Sequence, residues 1–130
     1  MTKTQKFAEL VLERLVPAYE AIARGKSVCR PCVCGLRAEA GFVYHCRRCP
    51  ANRHGDPDGC SILDGDGWWY IRAMNDIQTP GDNTNYRRTL WRRFRRDHGM
   101  TATEARAKLK RHAAKWKTWA KAQLSSLPKE

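Results

Sequence analysis

The chain has 130 residues, is 42% hydrophobic and 9% aromatic, and carries a formal net charge of +12 at pH 7. This length and composition fit one domain or a small metal-bound module with helical extensions, and they exclude a disordered protein. No apolar run approaches the roughly 20 residues that span a membrane, and the first residues show no secretory signal. We therefore expect a cytoplasmic protein, in which clustered cysteines bind metal more often than they form disulfides. A secreted three-disulfide protein is the alternative.

Residues 1–25 are predicted to form an N-terminal helix, because apolar side chains recur at intervals of three and four. Pro17 has no amide proton and its ring clashes with the preceding turn. We therefore expect a kink or break there, which leaves helical segments over 3–15 and 17–24. Gly25 follows as a helix C-cap. The apolar stripe predicts a packing helix that covers the rest of the protein or a partner subunit.

Residues 26–62 contain all six cysteines, including two Cys-x-x-Cys pairs separated by a predicted short strand at Gly41–Tyr44. Each such turn directs two thiolates to one point, so two facing turns complete the tetrahedral site that zinc prefers. The pairs resemble a zinc ribbon over these residues only. Val33 replaces the glycine that usually follows the second cysteine of a ribbon knuckle. The predicted zinc ligands are Cys29, Cys32, Cys46 and Cys49.

Additional cysteines and histidines leave open whether one or two zinc ions bind. Cys34 precedes a glycine, as a ribbon cysteine does, and is therefore an alternative to Cys29 or Cys32. The alternates or second-site ligands are Cys34, His45, His54 and Cys60. An iron–sulfur cluster with thiolate ligands is a further alternative. In each case the metal is predicted to be structural, because a stretch with few large apolar residues needs a staple against its conformational entropy.

A catalytic centre is the weaker interpretation of the same module. His54 with Asp56 and Asp58 would supply a metal ligand and nearby carboxylates. The paired motifs of zinc deaminases are missing, however, and no HNH core can be aligned. The aspartates are typical of turn and N-cap positions, and the Asp64-Gly-Asp66-Gly sequence is too short for a calcium loop. We therefore predict no catalytic residues.

Residues 63–130 are predicted to be helical over about 64–78, 84–98 and 102–124, from apolar periodicity and flanking breakers. A strand over 68–73 is the alternative for the first of these, because the segment is rich in aromatic and β-branched residues. The predicted fold is therefore mostly α, with a small zinc-stapled, zinc-ribbon-like knuckle module, flanking helices and a C-terminal basic helical hairpin.

Local signals set the ends and the inner faces of these helices. Gly99 is predicted to end the second helix, and Thr101 with Glu104 forms a capping box that begins the third. In the first helix we expect Tyr70 to be partly exposed. The second helix presents Tyr86, Leu90 and Phe94 on one face, and the third has an inward stripe of Ala105, Leu109, Ala113, Trp116, Ala120 and Leu124.

The excess charge is concentrated in the C-terminal third. Residues 86–130 carry 14 Lys and Arg against three acids, a net +11, whereas residues 1–85 carry only +1. This asymmetry favours a polyanionic partner, first of all nucleic acid, with an acidic protein or an anionic membrane as alternatives. The two helices and their tight turn resemble a helix-turn-helix in layout. The predicted nucleic-acid contacts are Arg87, Arg88, Arg92, Arg93, Arg95, Arg96, Lys108, Lys110, Arg111, Lys115, Lys117 and Lys121.

These patterns together predict a non-enzymatic, zinc-containing protein that binds DNA or RNA. Arginine suits phosphates and guanine edges. Trp91, Trp116 and Trp119 are candidates to stack on unpaired bases, although packing is the favoured role for Trp116. The alternative is a small regulator or inhibitor, similar in general character to those of phages and mobile elements, that binds an RNA polymerase or a nuclease. The third hypothesis is a metal-dependent nuclease that uses His54.

Overall fold

The regular structure of the protein is helical wherever the chain is described. The computed structural model describes residues 1–28, 36, 39–41, 69–79 and 84–125. Its helices, in chain order, are α1 (Lys3–Leu10), a π-helical turn (Val11–Leu15), α2 (Val16–Ala23), α3 (Trp69–Gln78), α4 (Thr84–His98) and α5 (Ala102–Ser125). These ranges contain no strand, and they confirm the mostly-α prediction. From Trp69 onward, the first predicted C-terminal segment is a helix and not the alternative strand.

Pro17 disturbs the N-terminal helix without ending it. The amide of Val16 donates to the carbonyl of Val11, five residues back, which is the hydrogen bond of a π-helix. Pro17 then occupies the first turn of α2, where its missing amide proton costs least. Leu15 keeps right-handed helical angles (φ −73°, ψ −52°), so the chain remains helical through the junction. The disturbance predicted at Pro17 therefore takes the form of a π turn.

Glycines end the helices at the predicted positions. Gly25 has a φ of +88°, and its amide donates to the carbonyl of Ile22 at 3.0 Å. The next amide, that of Lys26, donates to the carbonyl of Ala21 at 3.1 Å, which completes a Schellman motif. Gly99, with a φ of +69°, ends α4 in the same left-handed conformation. Both predicted caps are confirmed.

Capping boxes begin two of the helices. The amide of Glu104 donates to the Thr101 hydroxyl at 3.2 Å, and the Thr101 amide donates to the Glu104 carboxylate at 3.4 Å. This is the box predicted for α5. A second box, of Thr2 and Gln5, begins α1.

The N-terminal helices and α5 run antiparallel along their length. At one end, the Gln5 side chain donates to the carbonyl of Gln123 at 3.5 Å. At the other end, the Arg106 guanidinium lies 3.7 Å from the position that a Cβ on Gly25 would take. Phe7 packs between the rings of Trp116 and Trp119, with centroid separations of 6.1 and 5.5 Å. Residues from the two ends of the sequence therefore share one core.

The inner face of α5 is wider than its predicted stripe. Five stripe residues, Ala105 to Ala120, are buried as expected, and Leu124 is half-buried. His112 and Trp119 are buried as well. The Tyr70 hydroxyl forms a hydrogen bond with Nδ1 of His112, and Tyr70 is only 2% exposed. The prediction that Tyr70 is partly exposed was therefore wrong, because this residue bridges α3 to α5.

Helix α4 lies on α3 by a narrow apolar face. Phe94 is buried (3% exposed), while Leu90 and Trp91 are half-buried against the core. Trp91 and Phe94 meet edge to face with centroids 5.2 Å apart. Tyr86, at the start of the same predicted face, is 59% exposed. The face therefore continues beyond the core into solvent.

Candidate metal module and basic surface

The predicted metal ligands lie outside the described residues, as does the predicted strand beyond Gly41. This holds for the four principal ligands and for the alternates: Cys29, Cys32, Cys46, Cys49, Cys34, His45, His54 and Cys60. Within the described ranges, no three His, Cys, Asp or Glu side chains come together to hold a metal ion. What the structure does place is the set of contacts by which the core holds the chain on either side of the cysteines.

The chain that enters the cysteine-rich module is fixed by Asn75 of α3. The Asn75 side-chain oxygen accepts from the amide of Val28, and its nitrogen donates to the carbonyl of Val28, both at 2.9 Å. An amide side chain can accept from the N–H and donate to the C=O of the same residue, as a neighbouring β-strand would. Cys29, the first predicted zinc ligand, therefore directly follows a residue whose backbone is held in place.

Gln78, one turn further along α3, joins three parts of the molecule. Its nitrogen donates to the carbonyls of Ile22 at 2.9 Å and Lys26 at 2.7 Å, and its oxygen accepts from Nε of Arg106 at 2.9 Å. The Ile22 carbonyl, in the last turn of α2, also accepts from the Gly25 amide at 3.0 Å, so Gln78 is a second donor to it. Gln78 therefore caps α2 and connects it to α5.

A short segment between the two Cys-x-x-Cys pairs also packs on the core. Leu36 and Ala40 are 7% and 3% exposed and belong to the main apolar cluster. The Ala40 amide donates to the Leu36 carbonyl at 3.1 Å, as in a helical turn. Beside them, Arg14 contacts both carboxylate oxygens of Glu39 at 2.8 Å. The cysteine-rich module is therefore attached to the helices both at its entry and within it.

The predicted basic residues do not form one continuous surface. On α4, four exposed arginines occupy one side of the helix, and we call them the arginine ridge: Arg88, Arg92, Arg95 and Arg96. Residues four apart are neighbours on a helix, and the ridge extends about 12 Å at 1.5 Å per residue. Asp97 is the only acid in α4, and it contacts Nε of Arg96 at 3.2 Å.

The other two arginines of α4 do not belong to the ridge. Arg87 is half-buried, and its guanidinium donates to the carbonyl of Thr79 at 3.1 Å. Arg93 is exposed and lines a groove between α3 and α4. Arg87 therefore fixes the connection between the two helices, whereas Arg93 is available to a ligand.

The basic residues of α5 divide between two flanks of its buried face. Lys110 and Lys117 line a cleft of about 410 Å³ against α2, together with Arg24 and Glu20. Helical spacing places Lys121 on this flank as well. The opposite flank carries Arg111, Lys115 and Lys108, and the ammonium group of Lys108 lies 5.0 Å from the centre of the Tyr70 ring. The lysines therefore border the core, and Glu20 balances part of their charge.

The predicted stacking tryptophans have structural roles. Trp116 is 0% and Trp119 8% exposed, so neither presents a face to a base. Trp91 is half-buried, and the Arg106 guanidinium lies over its ring at 5.3 Å. The packing role favoured for Trp116 is therefore confirmed, and the interpretation of Trp119 as a stacking residue is wrong. Among the described residues of α4 and α5, the exposed aromatic ring is that of Tyr86.

Several residues in these contacts were not predicted from the sequence. Asn75, Gln78 and His112 pair with residues between 28 and 56 positions away, and no local pattern signals such pairs. The sequence offered a signal for Tyr86, because it stands first in the apolar series of α4 and directly before Arg87. No helix in the described ranges has the length and apolar character needed to cross a membrane. No family model, curated protein or solved structure matches the chain.

Proposed function

We propose that this protein binds nucleic acid through the arginine ridge of α4, and that zinc folds the cysteine-rich module attached to its helical core. The observation that carries the proposal is the ridge: four exposed arginines on one side of a helix that contains a single acid. Pairs of like charges four residues apart destabilise a helix. The ridge retains two such pairs, Arg88 with Arg92 and Arg92 with Arg96. A bound polyanion would relieve their repulsion, so the surface is suited to bind one.

The dimensions of the ridge suit a phosphate backbone. Phosphates follow each strand of DNA at intervals of about 3.4 Å along the axis, so a ridge of about 12 Å faces three or four of them. Arginine donates in a planar fork that matches phosphate oxygens, and it keeps its charge at any physiological pH. Backbone contacts of this kind give affinity for nucleic acid without selecting a sequence.

The proposed zinc site has a structural role. Cys29, Cys32, Cys46 and Cys49 remain the principal candidate ligands, and a reducing compartment such as the cytoplasm would keep them free of disulfides. The attachments at Val28 and at Leu36 with Ala40 support this role, because they hold residues beside and within the cysteine-rich segment against the helices. Structural zinc contributes folding free energy on the order of 10 kcal/mol to such modules.

A charge-matched pair of variants tests the ridge. One variant carries Arg→Gln at all four ridge positions, and the control replaces four exposed cations elsewhere with glutamine: Lys6, Arg24, Lys26 and Arg72. Both lose the same net charge. Binding to a labelled duplex is measured by fluorescence anisotropy over a salt series. We expect the ridge variant to reduce the slope of log K against log salt by about 3 to 4, and the control by less than about 1.

The alternative functions give different results. If the two variants reduce the salt slope equally, net charge and not the ridge drives binding. If the protein binds no oligonucleotide but recovers one partner protein in equal amounts after nuclease treatment, the proposal fails and the regulator hypothesis gains support.

Metal content tests the second part of the proposal. Native mass spectrometry is expected to show one bound zinc, or two if the alternate ligands form a second site. Double replacement of Cys29 and Cys46 by serine should remove one zinc and increase proteolysis between residues 29 and 68. A metal-free protein with unchanged proteolysis in reducing buffer would contradict the zinc assignment.

A further inference from the structure

The groove between α3 and α4 lies beside the arginine ridge and has not been assigned a role. Its volume is about 470 Å³, within the range of small-ligand sites. Apolar side chains form its inner surface, and charged side chains stand at its rim. The complete lining is Ala73, Asp76, Ile77, Tyr86, Leu90, Arg93, Phe94, Asp97 and His98.

The aromatic character of the groove comes from α4. The Tyr86 ring is 59% exposed at one end, and Phe94 is buried beneath the groove. The Phe94 and His98 rings lie 4.7 Å apart, which adds a second aromatic surface at the other end. An exposed tyrosine beside an apolar surface offers a face on which any base can stack.

The charges of the groove join it to the ridge. Asp97 contacts the ridge residue Arg96 at 3.2 Å and also lines the groove. Arg93 lies three residues before Arg96 and four before Asp97, so all three are neighbours on the helix surface. A ligand that contacts the ridge therefore reaches the groove across a single side chain, that of Arg93.

The groove and the ridge select different parts of one ligand. The carboxylates of Asp76 and Asp97 repel phosphates from the groove, whereas the ridge attracts them. Carboxylates also accept hydrogen bonds from exocyclic amino groups such as N4 of cytosine. A phosphate backbone on the ridge would thus turn its bases toward the groove. In a duplex those bases are paired and stacked, and they cannot enter it.

We propose that the groove between α3 and α4 binds an unpaired base of a single-stranded nucleic acid, with Tyr86 stacked on that base and the arginine ridge on the adjoining phosphates. This inference rests on the proposed function and narrows its ligand to single strands or to unpaired regions of DNA or RNA. It replaces the buried tryptophans with Tyr86 as the stacking residue.

The test compares affinities for a single-stranded 12-mer rich in cytosine and adenine and for the same strand in a duplex. Tyr86→Ala should lower the ratio of single-strand to duplex affinity by about fivefold to a hundredfold, the usual effect of losing one stacked base. Tyr86→Phe should preserve the ratio because it keeps the ring. Thr103→Ala, at an exposed position of α5, is the matched control and should leave both affinities unchanged.

The two proposals fail in distinguishable ways. If Tyr86→Ala leaves the ratio unchanged while the fourfold ridge variant loses affinity for both ligands, the groove proposal is overturned and the ridge proposal stands. An unchanged ratio is also the result expected if the groove binds a basic peptide instead of a base. If neither ligand binds to the wild-type protein, both proposals fail. Circular dichroism of each variant confirms that the helices remain folded.

Discussion

Helices α4 and α5 carry similar numbers of basic residues but are held in place very differently. Helix α5 contributes seven buried side chains and packs on α1, α2 and α3, whereas the described buried side chain of α4 is Phe94 alone. The lysines of α5 border the core, and Glu20 lies beside two of them. The arginines of α4 project from a helix that has little to bury. The difference teaches that charge count alone does not describe a surface: the cations of α5 flank a face that is buried in the core, whereas those of α4 are most of what the helix presents.

The largest effect is expected when the core of α5 is damaged. Trp116 is fully buried and contacts both Phe7 and Trp119 through its ring. Trp116→Ala should lower the free energy of unfolding by about 3–5 kcal/mol, from lost burial and the cavity left behind. Urea unfolding followed by far-ultraviolet circular dichroism measures the change. Thr118→Ala, at an exposed position of the same helix, should stay within about 0.5 kcal/mol of the wild type.

A similar cavity under α4 should act locally. Phe94→Ala removes the buried anchor of that helix and should reduce its local opening free energy by about 3 kcal/mol. Hydrogen exchange is the informative measurement, because amides of α4 should lose protection while those of α5 keep it. Trp116→Ala should reduce protection in both helices. If Phe94→Ala exposes α5 equally, the two helices form one cooperative unit, and the contrast between them is wrong.

The features of the fold that depend on neighbours in sequence were predictable. The capping box at Thr101, the glycine ends at Gly25 and Gly99 and the inward stripe of α5 each follow from residues within one or two turns of one another. Helix periodicity and cap chemistry act at that range, so the amino-acid order determines them directly.

The features that depend on distant residues were not predictable from periodicity. Tyr70 was expected to be partly exposed, but its hydroxyl meets His112, 42 positions later, and this bond makes burial favourable. Gln78 bonds to α2 and α5 through contacts with no local signal. The candidate site likewise has one part that was predictable from the sequence and one part that was not. The basic residues were identified by composition, whereas their separation into a ridge and two flanks required knowing which side of each helix faces the core. The metal ligands lie outside the described residues and remain a prediction.

The smallest predicted effect tests whether α4 is shaped for binding at the expense of its own stability. Arg92 lies between Arg88 and Arg96, four residues from each, and each like-charge pair destabilises a helix by about 0.2–0.5 kcal/mol. Arg92→Gln should therefore raise the free energy of unfolding by about 0.4–1 kcal/mol in low-salt buffer. The gain should disappear at about 1 M salt, where the screening length falls to about 3 Å.

A lysine of α5 provides the matched control for this last substitution. Lys117 also has a like charge four residues away, at Lys121, but it shares its cleft with Glu20. Lys117→Gln removes the repulsion from Lys121 and, within the cleft, both the attraction of Glu20 and the repulsion of Arg24 and Lys110. Because these contributions oppose one another, its effect on stability at low salt should be smaller than that of Arg92→Gln. If Arg92→Gln instead destabilises the protein at low salt, Arg92 makes a favourable contact within the fold and the ridge is not a repulsive surface. If it stabilises the protein and weakens nucleic-acid binding, then the repulsion among the arginines of α4 is what a bound polyanion relieves.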